Sequence, residues 1–177
     1  MSVLPRSDRL DAELPDPAVH LEFCEAHFAN PKIAPWHGAG PRDCHRMLVA
    51  QAAQCASTGW CLWWWRERSS GRLVGYTGLN RDQVEGSDVV EVGWSITPSR
   101  WGEGFAPEAA QAAIDWGFER GLQRIVSFTK VDNERSRRVM EKLGMTYDPA
   151  DDFEDPTVPA GHWQRPHVVY RLANPNR

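Results

Sequence analysis

The chain has 177 residues, 41% of them hydrophobic, which is enough apolar material for the core of one domain and little for two. Lys and Arg number 20 against 24 Asp and Glu, so the formal net charge is −4. This acidic balance provides no basic surface for phosphate backbones and argues against nucleic acid as the main partner. We therefore expect a single domain over residues 1–177 that does not bind nucleic acid.

The N-terminal segment Met1–Arg6 lacks the apolar run of a secretion signal, and no window approaches the roughly 18 to 20 apolar residues that cross a bilayer. We therefore predict a cytoplasmic protein without a membrane partner. Neither a C-x-x-C pair nor a zinc-type histidine spacing occurs around the four cysteines, which are Cys24, Cys44, Cys55 and Cys61. We expect buried thiols and no metal site.

The first half of the chain predicts two helices followed by a hairpin. Asp16 can cap a helix whose first residue is Pro17, and near-helical apolar spacing continues this helix to residue 29. A Pro-rich and Gly-rich loop separates it from a second predicted helix at 42–58. Two β-prone runs then flank a Ser-Ser-Gly turn, and they predict antiparallel strands at 60–67 and 72–80.

A loop over 83–88 is expected to lead into a strand at 89–96. The alternation of this strand predicts one face with Val90, Val92, Trp94 and Ile96 and an opposite face with Glu91, Gly93 and Ser95. The remaining predicted elements are a helix at 105–119, a strand at 124–130, a helix at 134–143 capped by Asp132-Asn133, an extended segment from 145, and a strand at 168–172. This order indicates a mixed α/β fold.

A glycine-rich turn joins the strand at 89–96 to the following helix. Gly102 and Gly104 would let the backbone approach a ligand closely, and amides at a helix start favour an anion such as pyrophosphate. No Lys-Ser/Thr pair follows, and Pro107 stands where a dinucleotide motif needs a small residue, so neither a Walker loop nor a complete dinucleotide fingerprint is present. A plain strand-to-helix turn is the alternative.

Four motifs give this turn a family context: Val-Glu-Val-Gly-Trp-Ser-Ile at 90–96, Trp-Gly-Glu-Gly-Phe-Ala-Pro-Glu-Ala at 101–109, Val-Asp-Asn-Glu-Arg-Ser at 131–136, and Glu-Lys-Leu-Gly-Met at 141–145. Together they resemble the GNAT acetyltransferase superfamily, with most likeness to its branch of ribosomal-protein N-terminal acetyltransferase-like enzymes. The resemblance implies a single-domain GNAT-like fold, with a central, mostly antiparallel sheet flanked by helices. A splayed strand pair would hold acetyl-CoA.

The resemblance also implies which residues bind the cofactor. Backbone groups of Ser95, Ile96 and Thr97 would pair with the pantetheine arm as with a neighbouring strand. Asn133 would hydrogen-bond the arm, or cap its helix, or do both. The pyrophosphate loop falls on six consecutive residues: Trp101, Gly102, Glu103, Gly104, Phe105 and Ala106.

Acetyl transfer to an amine needs a base, because an α-amino group has a pKa of about 7.7 to 8 and a lysine one of about 10.4. Glu91 lies at the family's position for this base, beside the open space that Gly93 would leave. A polar residue on a half-exposed strand is the alternative interpretation. Many members use a tyrosine to assist the leaving thiolate, but Met140 holds that position, and Ser136 could donate a hydrogen bond to the sulfur instead.

The acceptor end is predicted from loops. Trp36 and His37, between the first two helices, and Trp163, in a long acidic and aromatic loop, are candidates to line the acceptor pocket together with Glu91. The expected activity is acetyl transfer to a protein N-terminus or a small-molecule amine. The alternative is a non-catalytic acyl-CoA-binding or regulatory module. An open sheet edge makes a homodimer possible.

Overall fold

The computed structural model describes residues 4–175. Residues 1–3 and 176–177 lie outside the described residues. They include half of the N-terminal segment Met1–Arg6, in which no secretion signal is predicted, and both ends of the predicted domain 1–177. Within the described range, no helix is long and apolar enough to span a bilayer. No group of three or more His, Cys, Asp or Glu side chains between residues 4 and 175 is arranged to hold a metal ion. The four cysteines are free, and all except the half-buried Cys55 are buried.

Helices and strands follow one another in a mixed α/β order. The helices are α1 (Pro17–Ala29), α2 (Cys44–Thr58), α3 (Phe105–Glu119) and α4 (Glu134–Lys142). The strands are β1 (Leu10–Glu13), β2 (Leu62–Glu67), β3 (Leu73–Val84), β4 (Ser87–Ile96), β5 (Arg124–Lys130), β6 (Thr146–Tyr147), β7 (Phe153–Glu154) and β8 (Pro166–Ala173). They form one open sheet in the order β1-β2-β3-β4-β5-β8-β6, with β7 also paired to β8. Its strand pairs are antiparallel except β4 with β5.

The sheet separates two apolar layers. Val92 and Ile96 of β4 point into the larger core, which α3 covers, and Trp63 meets Trp116 of α3 there. Trp64, the next residue of β2, faces the opposite layer beneath α1 and α2. Side chains alternate between the faces, as the sequence pattern of β4 predicts, so the Glu91 face lies on the α1 side.

Local signals fix several element ends. Asp16 accepts a hydrogen bond from the Ala18 N–H at 2.8 Å, and Pro17 is the first residue of α1, so the predicted start and the predicted range 17–29 are confirmed. The predicted helix at 42–58 begins two residues later, because Pro41–Asp43 forms a 3-10 turn before it.

The prediction of a loop over 83–88 is wrong. β3 continues to Val84 and β4 starts at Ser87, so only two residues connect the strands. Both Glu85, with φ of 50°, and Gly86, with φ of 78°, adopt the left-handed region. Two such residues make the tight turn whose twist suits a hairpin, which lets the ladder extend on both sides.

The parallel pair at the centre of the sheet is splayed. β4 and β5 are paired only at Glu91 with Val126, whereas β5 and β8 pair over seven positions from Arg124 to Lys130. The C-terminal halves of β4 and β5 therefore diverge and leave a gap between strands. This confirms the open, mostly antiparallel sheet that the resemblance implies.

Candidate active site

A crevice of about 370 Å³ opens where β4 leaves β5. Trp94, Ser95 and Ile96 of β4 form one wall, and the first turns of α4 form the opposite wall. The glycine-rich loop before α3 closes one end, and Trp36 and His37 lie at another. The structure thus brings to one cavity most of the residues predicted to bind the cofactor and two of those predicted to line the acceptor pocket, whereas Thr97, Glu103, Glu91 and Trp163 are not among its lining residues.

The backbone of the loop requires its glycines. Gly102 and Gly104 have φ of 86° and 84°, a region that costs little for glycine and much for residues with a Cβ. Gly104 is also the N-cap of α3, so the first amides of the helix lie at the crevice, where Gly102, Gly104, Phe105 and Ala106 are lining residues. Unpaired amides at a helix start, supported by the helix dipole, suit an anion.

Positive side chains add to these amides from α4. Arg135, Arg138 and Lys142 line the crevice. The guanidinium of Arg135 also stacks on the ring of Trp101, with 4.1 Å from its carbon to the ring centroid. Sequence reasoning missed these three residues, although their i, i+3 and i+7 spacing on one helix face could have identified them.

Trp101 has a more specific role than the sequence suggests. Its indole N–H donates to the Ile96 carbonyl at 2.7 Å. The same carbonyl is one of the groups predicted to pair with the pantetheine arm, and its oxygen has a second lone pair for such a ligand. Trp101 also packs against both apolar layers, and it therefore anchors the start of the glycine loop to the end of the sheet.

Only part of the predicted β4 edge faces the gap. The Thr97 N–H donates to the Val74 carbonyl at 2.8 Å, so the backbone of this residue is turned toward β3. Successive residues of a strand direct their backbone groups to opposite sides, so Ser95 also pairs with β3, while Ile96 and Trp94 face the crevice. Backbone groups alternate along a strand with the same period of two as side chains, so the prediction for Ile96 also implies Trp94, two residues earlier.

Charged residues beside the loop are paired among themselves, including Arg100, which lines the crevice. The carboxylate of Glu103 accepts from Arg100 at 2.9 Å, and Arg100 also binds Glu67 through two hydrogen bonds. These contacts lower the pKa of Glu67 to about 2 and hold that of Glu103 below its usual value. The carboxylate of Glu103, predicted as a cofactor residue, is therefore engaged by protein, which leaves its backbone for a ligand.

Asn133 and Ser136 lie on the α4 wall of the crevice. The Asn133 carboxamide accepts from the Ser136 N–H at 3.3 Å and donates to the Thr129 hydroxyl at 2.9 Å, so Asn133 caps its helix. Contact of its side chain with a ligand stays a prediction. Met140, at the family's tyrosine position, is 1% exposed in the core, so it contributes no hydroxyl to the crevice.

Glu91 lies on the same face of β4 as Gly93 and Ser95, and it is not one of the residues that line the crevice. A Cβ added at Gly93 would lie 3.7 Å from its Oε1 atom, so the carboxylate extends along the strand over Gly93. Burial raises the pKa of Glu91 to about 8, and the negative charge of Asp82 adds to this shift. A carboxyl with this pKa can hold or release a proton near neutral pH.

Beyond Gly93, a buried hydrogen-bond chain connects α1, β4, the α1–α2 loop and β3. Ser95 Oγ lies 2.7 Å from His27 Nε2 and 3.2 Å from His37 Nε2, and His37 Nδ1 lies 3.3 Å from the Tyr76 hydroxyl. Burial lowers the pKa of both histidines to about 4, so both are neutral near pH 7. The two ring nitrogens of His37, predicted to contact substrate, are thus engaged within the protein.

The protons of this chain have a favoured arrangement. Among the described residues, His27 Nδ1 is buried without a partner. An unpaired buried N–H is costlier than an unpaired lone pair, so we place the proton of His27 on Nε2. Ser95 then donates to His37, and the Nδ1–H of His37 donates to Tyr76.

The predicted acceptor tryptophans meet each other. The Trp36 and Trp163 rings contact edge to face, with centroids 5.8 Å apart, and Trp163 remains 47% exposed. Lys130 Nζ donates to the Trp36 carbonyl at 2.8 Å, and the Gln164 amide donates to the Pro35 carbonyl at 2.5 Å. Residues from two loops therefore form one rim, with Trp36 inside the crevice and Trp163 outside its lining.

Comparison with known proteins agrees with this geometry. Residues 12–146 match the sequence pattern described as Acetyltransferase (GNAT) domain. The chain is 32% identical to the uncharacterized protein YkkB of Bacillus subtilis (strain 168) over 119 residues, which are 67% of this chain and 64% of that protein. The matched part thus spans less than two thirds of this relative's length.

Two solved structures share the fold. The acetyltransferase from Agrobacterium tumefaciens str. C58 superposes with a TM-score of 0.75 at 25% identity, covering 97% of this chain and 95% of that one. A RimL ribosomal L7/L12 alpha-N-protein acetyltransferase in complex with coenzyme A gives a TM-score of 0.75 at 15% identity, covering 97% and 98%. The GNAT pattern covers more than half of the sequence, and the chain therefore belongs to the GNAT acetyltransferase family.

Proposed function

We propose that the protein transfers the acetyl group of acetyl-CoA directly to a primary amine. The observation that carries this proposal is the crevice between the splayed strands β4 and β5, which ends at the unpaired amides of α3. As the sequence predicts, we further expect one domain over residues 1–177, a cytoplasmic location and no metal. A protein N-terminus and a small-molecule amine are both candidate acceptors.

The crevice residues fit the parts of acetyl-CoA. The amides of Gly104, Phe105 and Ala106 suit the pyrophosphate, and the cations of α4 suit phosphate charges. The gap-facing backbone of Ile96 suits the amides of the pantetheine arm. When bound, the cofactor supplies an acetyl thioester, a carbonyl activated toward attack by an amine.

In this proposal Glu91 removes the proton that prevents an ammonium group from attacking. A pKa of about 8 lies close to that of an α-amino group, about 7.7 to 8, so the transfer between them is nearly balanced. In this proposal the amine reaches Glu91 by way of Gly93, which has no side chain to block the approach. Ser136 donates a hydrogen bond to the departing thiolate, whose pKa of about 8.5 demands little help.

Two observations favour a second function, an acyl-CoA sensor without turnover. Met140 is buried where many relatives have a tyrosine, and Glu91 is outside the crevice lining. Such a module would bind coenzyme A and leave amines unchanged.

Two measurements separate these functions. The first is calorimetric titration with acetyl-CoA and with coenzyme A, and the second is a thiol-release assay on N-terminal peptides and small amines. Binding with turnover of one amine class supports the transferase and identifies its acceptor. Binding without turnover by any amine supports the sensor, and absence of binding refutes the assignment of the crevice. The sedimentation mass of the same sample tests the predicted homodimer.

A further inference from the structure

We propose that Arg9 is a positioning residue for the cofactor loop: it fixes the Glu103–Gly104 peptide so that the Gly104 N–H faces the crevice. This inference rests on the proposed function, because it assumes that the crevice receives the pyrophosphate of acetyl-CoA. Arg9 itself is not a lining residue of the crevice, whereas Gly104 is.

The guanidinium of Arg9 joins the loop to the first turn of α3. Its Nη2 donates to the Glu103 carbonyl at 2.9 Å, and its Nε donates to Glu108 Oε2 at 2.7 Å. The backbone N–H of Arg9 and the hydroxyl of Ser7 both donate to the other oxygen of Glu108, at 2.8 and 2.6 Å. The N-terminal segment is thus bound to α3 directly beside the glycine loop.

The planarity of the peptide bond links the contact at the Glu103 carbonyl to the direction of the Gly104 N–H. The Glu103 carbonyl and the Gly104 N–H belong to one trans peptide, so they point in opposite directions. Since Arg9 holds the carbonyl on the outer side of the loop, the N–H is directed to the other side, which borders the crevice. Among the described residues, this N–H donates to no acceptor, and it is therefore available to a ligand.

The loop needs such a restraint because its glycines supply none. Gly104 has φ of 84° and could also adopt negative φ at little cost, so the peptide before it can rotate when its carbonyl is released. The guanidinium of Arg9 is itself fixed, because it stacks on the Phe105 ring at 4.3 Å. Arg100 stacks on the same ring at 4.6 Å.

The net charge of the cluster beside the loop indicates that backbone amides, and not these side chains, would bind the phosphates. Arg9 and Arg100 face three carboxylates, those of Glu67, Glu103 and Glu108, so this cluster carries one excess negative charge. Arg100 lines the crevice, but it is paired with Glu103 and Glu67, so the described residues on this side offer a phosphate no excess positive charge. The guanidinium of Arg9 acts on the ligand only through the direction of the peptide.

The test is an Arg9→Met variant, which keeps apolar packing on Phe105 and removes the donors. We expect its Kd for acetyl-CoA, measured by calorimetry, to rise about tenfold, the factor that corresponds to about 1.4 kcal/mol. S-acetylpantetheine lacks the pyrophosphate, so its stabilisation of the protein in a thermal melt should stay unchanged. Glu108→Gln should weaken acetyl-CoA binding in the same direction and by less.

Arg68→Met is the matched control. Arg68 anchors the same segment through the Asp8 and Leu10 carbonyls and does not contact the loop. Equally weaker acetyl-CoA binding in Arg9→Met and Arg68→Met would mean general loosening of the segment and would overturn the proposal. Unchanged acetyl-CoA affinity in Arg9→Met would also overturn it, and so would an equal loss of binding for acetyl-CoA and S-acetylpantetheine. Absence of binding by the unaltered protein would instead refute the proposed function.

Discussion

Replacing Glu91 with glutamine separates a catalytic base from a structural strand residue. The amide keeps the shape of the side chain and cannot accept a proton from an ammonium group. Positioned general bases contribute about 100-fold to 10,000-fold in rate, so we expect kcat to fall within that range. Affinity for coenzyme A should be retained, because Glu91 is not one of the crevice-lining residues.

The pH dependence of the proposed activity in the unaltered protein follows from the same carboxyl. With a pKa of about 8, roughly one Glu91 in ten is ionised at about pH 7. The kcat/KM for the acceptor should therefore rise about tenfold per pH unit below pH 8 and fall again above the pKa of the amine, where the ammonium form that Glu91 deprotonates is depleted. In Glu91→Gln the ascending limb should follow only the ionisation of the amine.

The free energy of unfolding gives an independent readout, because it should fall with rising pH over the range in which activity rises. The folded pKa of Glu91, about 8, exceeds its ordinary value of 4.5, so folded protein holds this proton where unfolded protein releases it. Its contribution to the free energy of unfolding is therefore lost by about 1.4 kcal/mol per pH unit as pH rises from 4.5 toward 8. Glu91→Gln removes this loss and should be more stable than the unaltered protein near pH 8.

His27 and His37 act in the other direction at lower pH. Their folded pKa values, about 4, lie below the ordinary 6.5, so the unfolded chain binds more protons between these limits. Each histidine then adds about 1.4 kcal/mol per unit as pH rises from 4 to 6.5. Stability from these three groups should therefore peak near pH 6.5, as urea unfolding across pH can test.

Full turnover in Glu91→Gln, or loss of its activity together with lower stability near pH 8, would contradict this reasoning. The first result would remove Glu91 from the mechanism. The second would indicate that the variant fails by misfolding and that the carboxyl is ionised in the folded protein.

Three further substitutions test the surroundings of the crevice. Gly93→Ala should fold and bind coenzyme A, because its Cβ meets nothing closer than 3.7 Å, but it should lose kcat/KM for an acceptor that passes Gly93. Gly78→Ala should not fold, because its Cβ would lie 2.2 Å from a backbone oxygen. Circular dichroism and steady-state kinetics distinguish the two variants. Ser136→Ala should lower kcat less than tenfold, which rapid-mixing thiol release can measure. Asn133→Ala should cost about 1 kcal/mol in urea unfolding through loss of a helix cap.

Local signals in the sequence were sufficient for much of this fold. α1, α3 and β5 have the predicted ends, because caps, prolines and glycines act on neighbouring residues. The 83–88 loop was mispredicted because the turn residue Glu85 adopts positive φ, which glutamate rarely does. The family motifs added what spacing does not contain, the splay between β4 and β5.

The contacts that organise the candidate site lie between distant residues. His27 and Ser95 are 68 positions apart, and Arg9 and Glu108 are 99 apart. Each pair depends on which strand face and which helix side meet, and no local pattern contains that information. Sequence reasoning therefore identified the glycines that make the loop possible and missed the arginine that would direct its amides.

The properties of Glu91 also bear on the choice of acceptor. A base with a pKa of about 8 exchanges a proton with an α-ammonium group, pKa about 7.7 to 8, at almost no cost. Removing a proton from a lysine-type ammonium, pKa about 10.4, costs more than two pKa units, or about 3 kcal/mol. His37, which lines the crevice, is neutral near pH 7, and the lining cations Arg135, Arg138 and Lys142 are the groups proposed to face the cofactor phosphates, so the preference for a weakly basic acceptor follows from Glu91. Among otherwise similar acceptors, those with an α-amine or another weakly basic amine should therefore react faster than alkyl amines of high pKa.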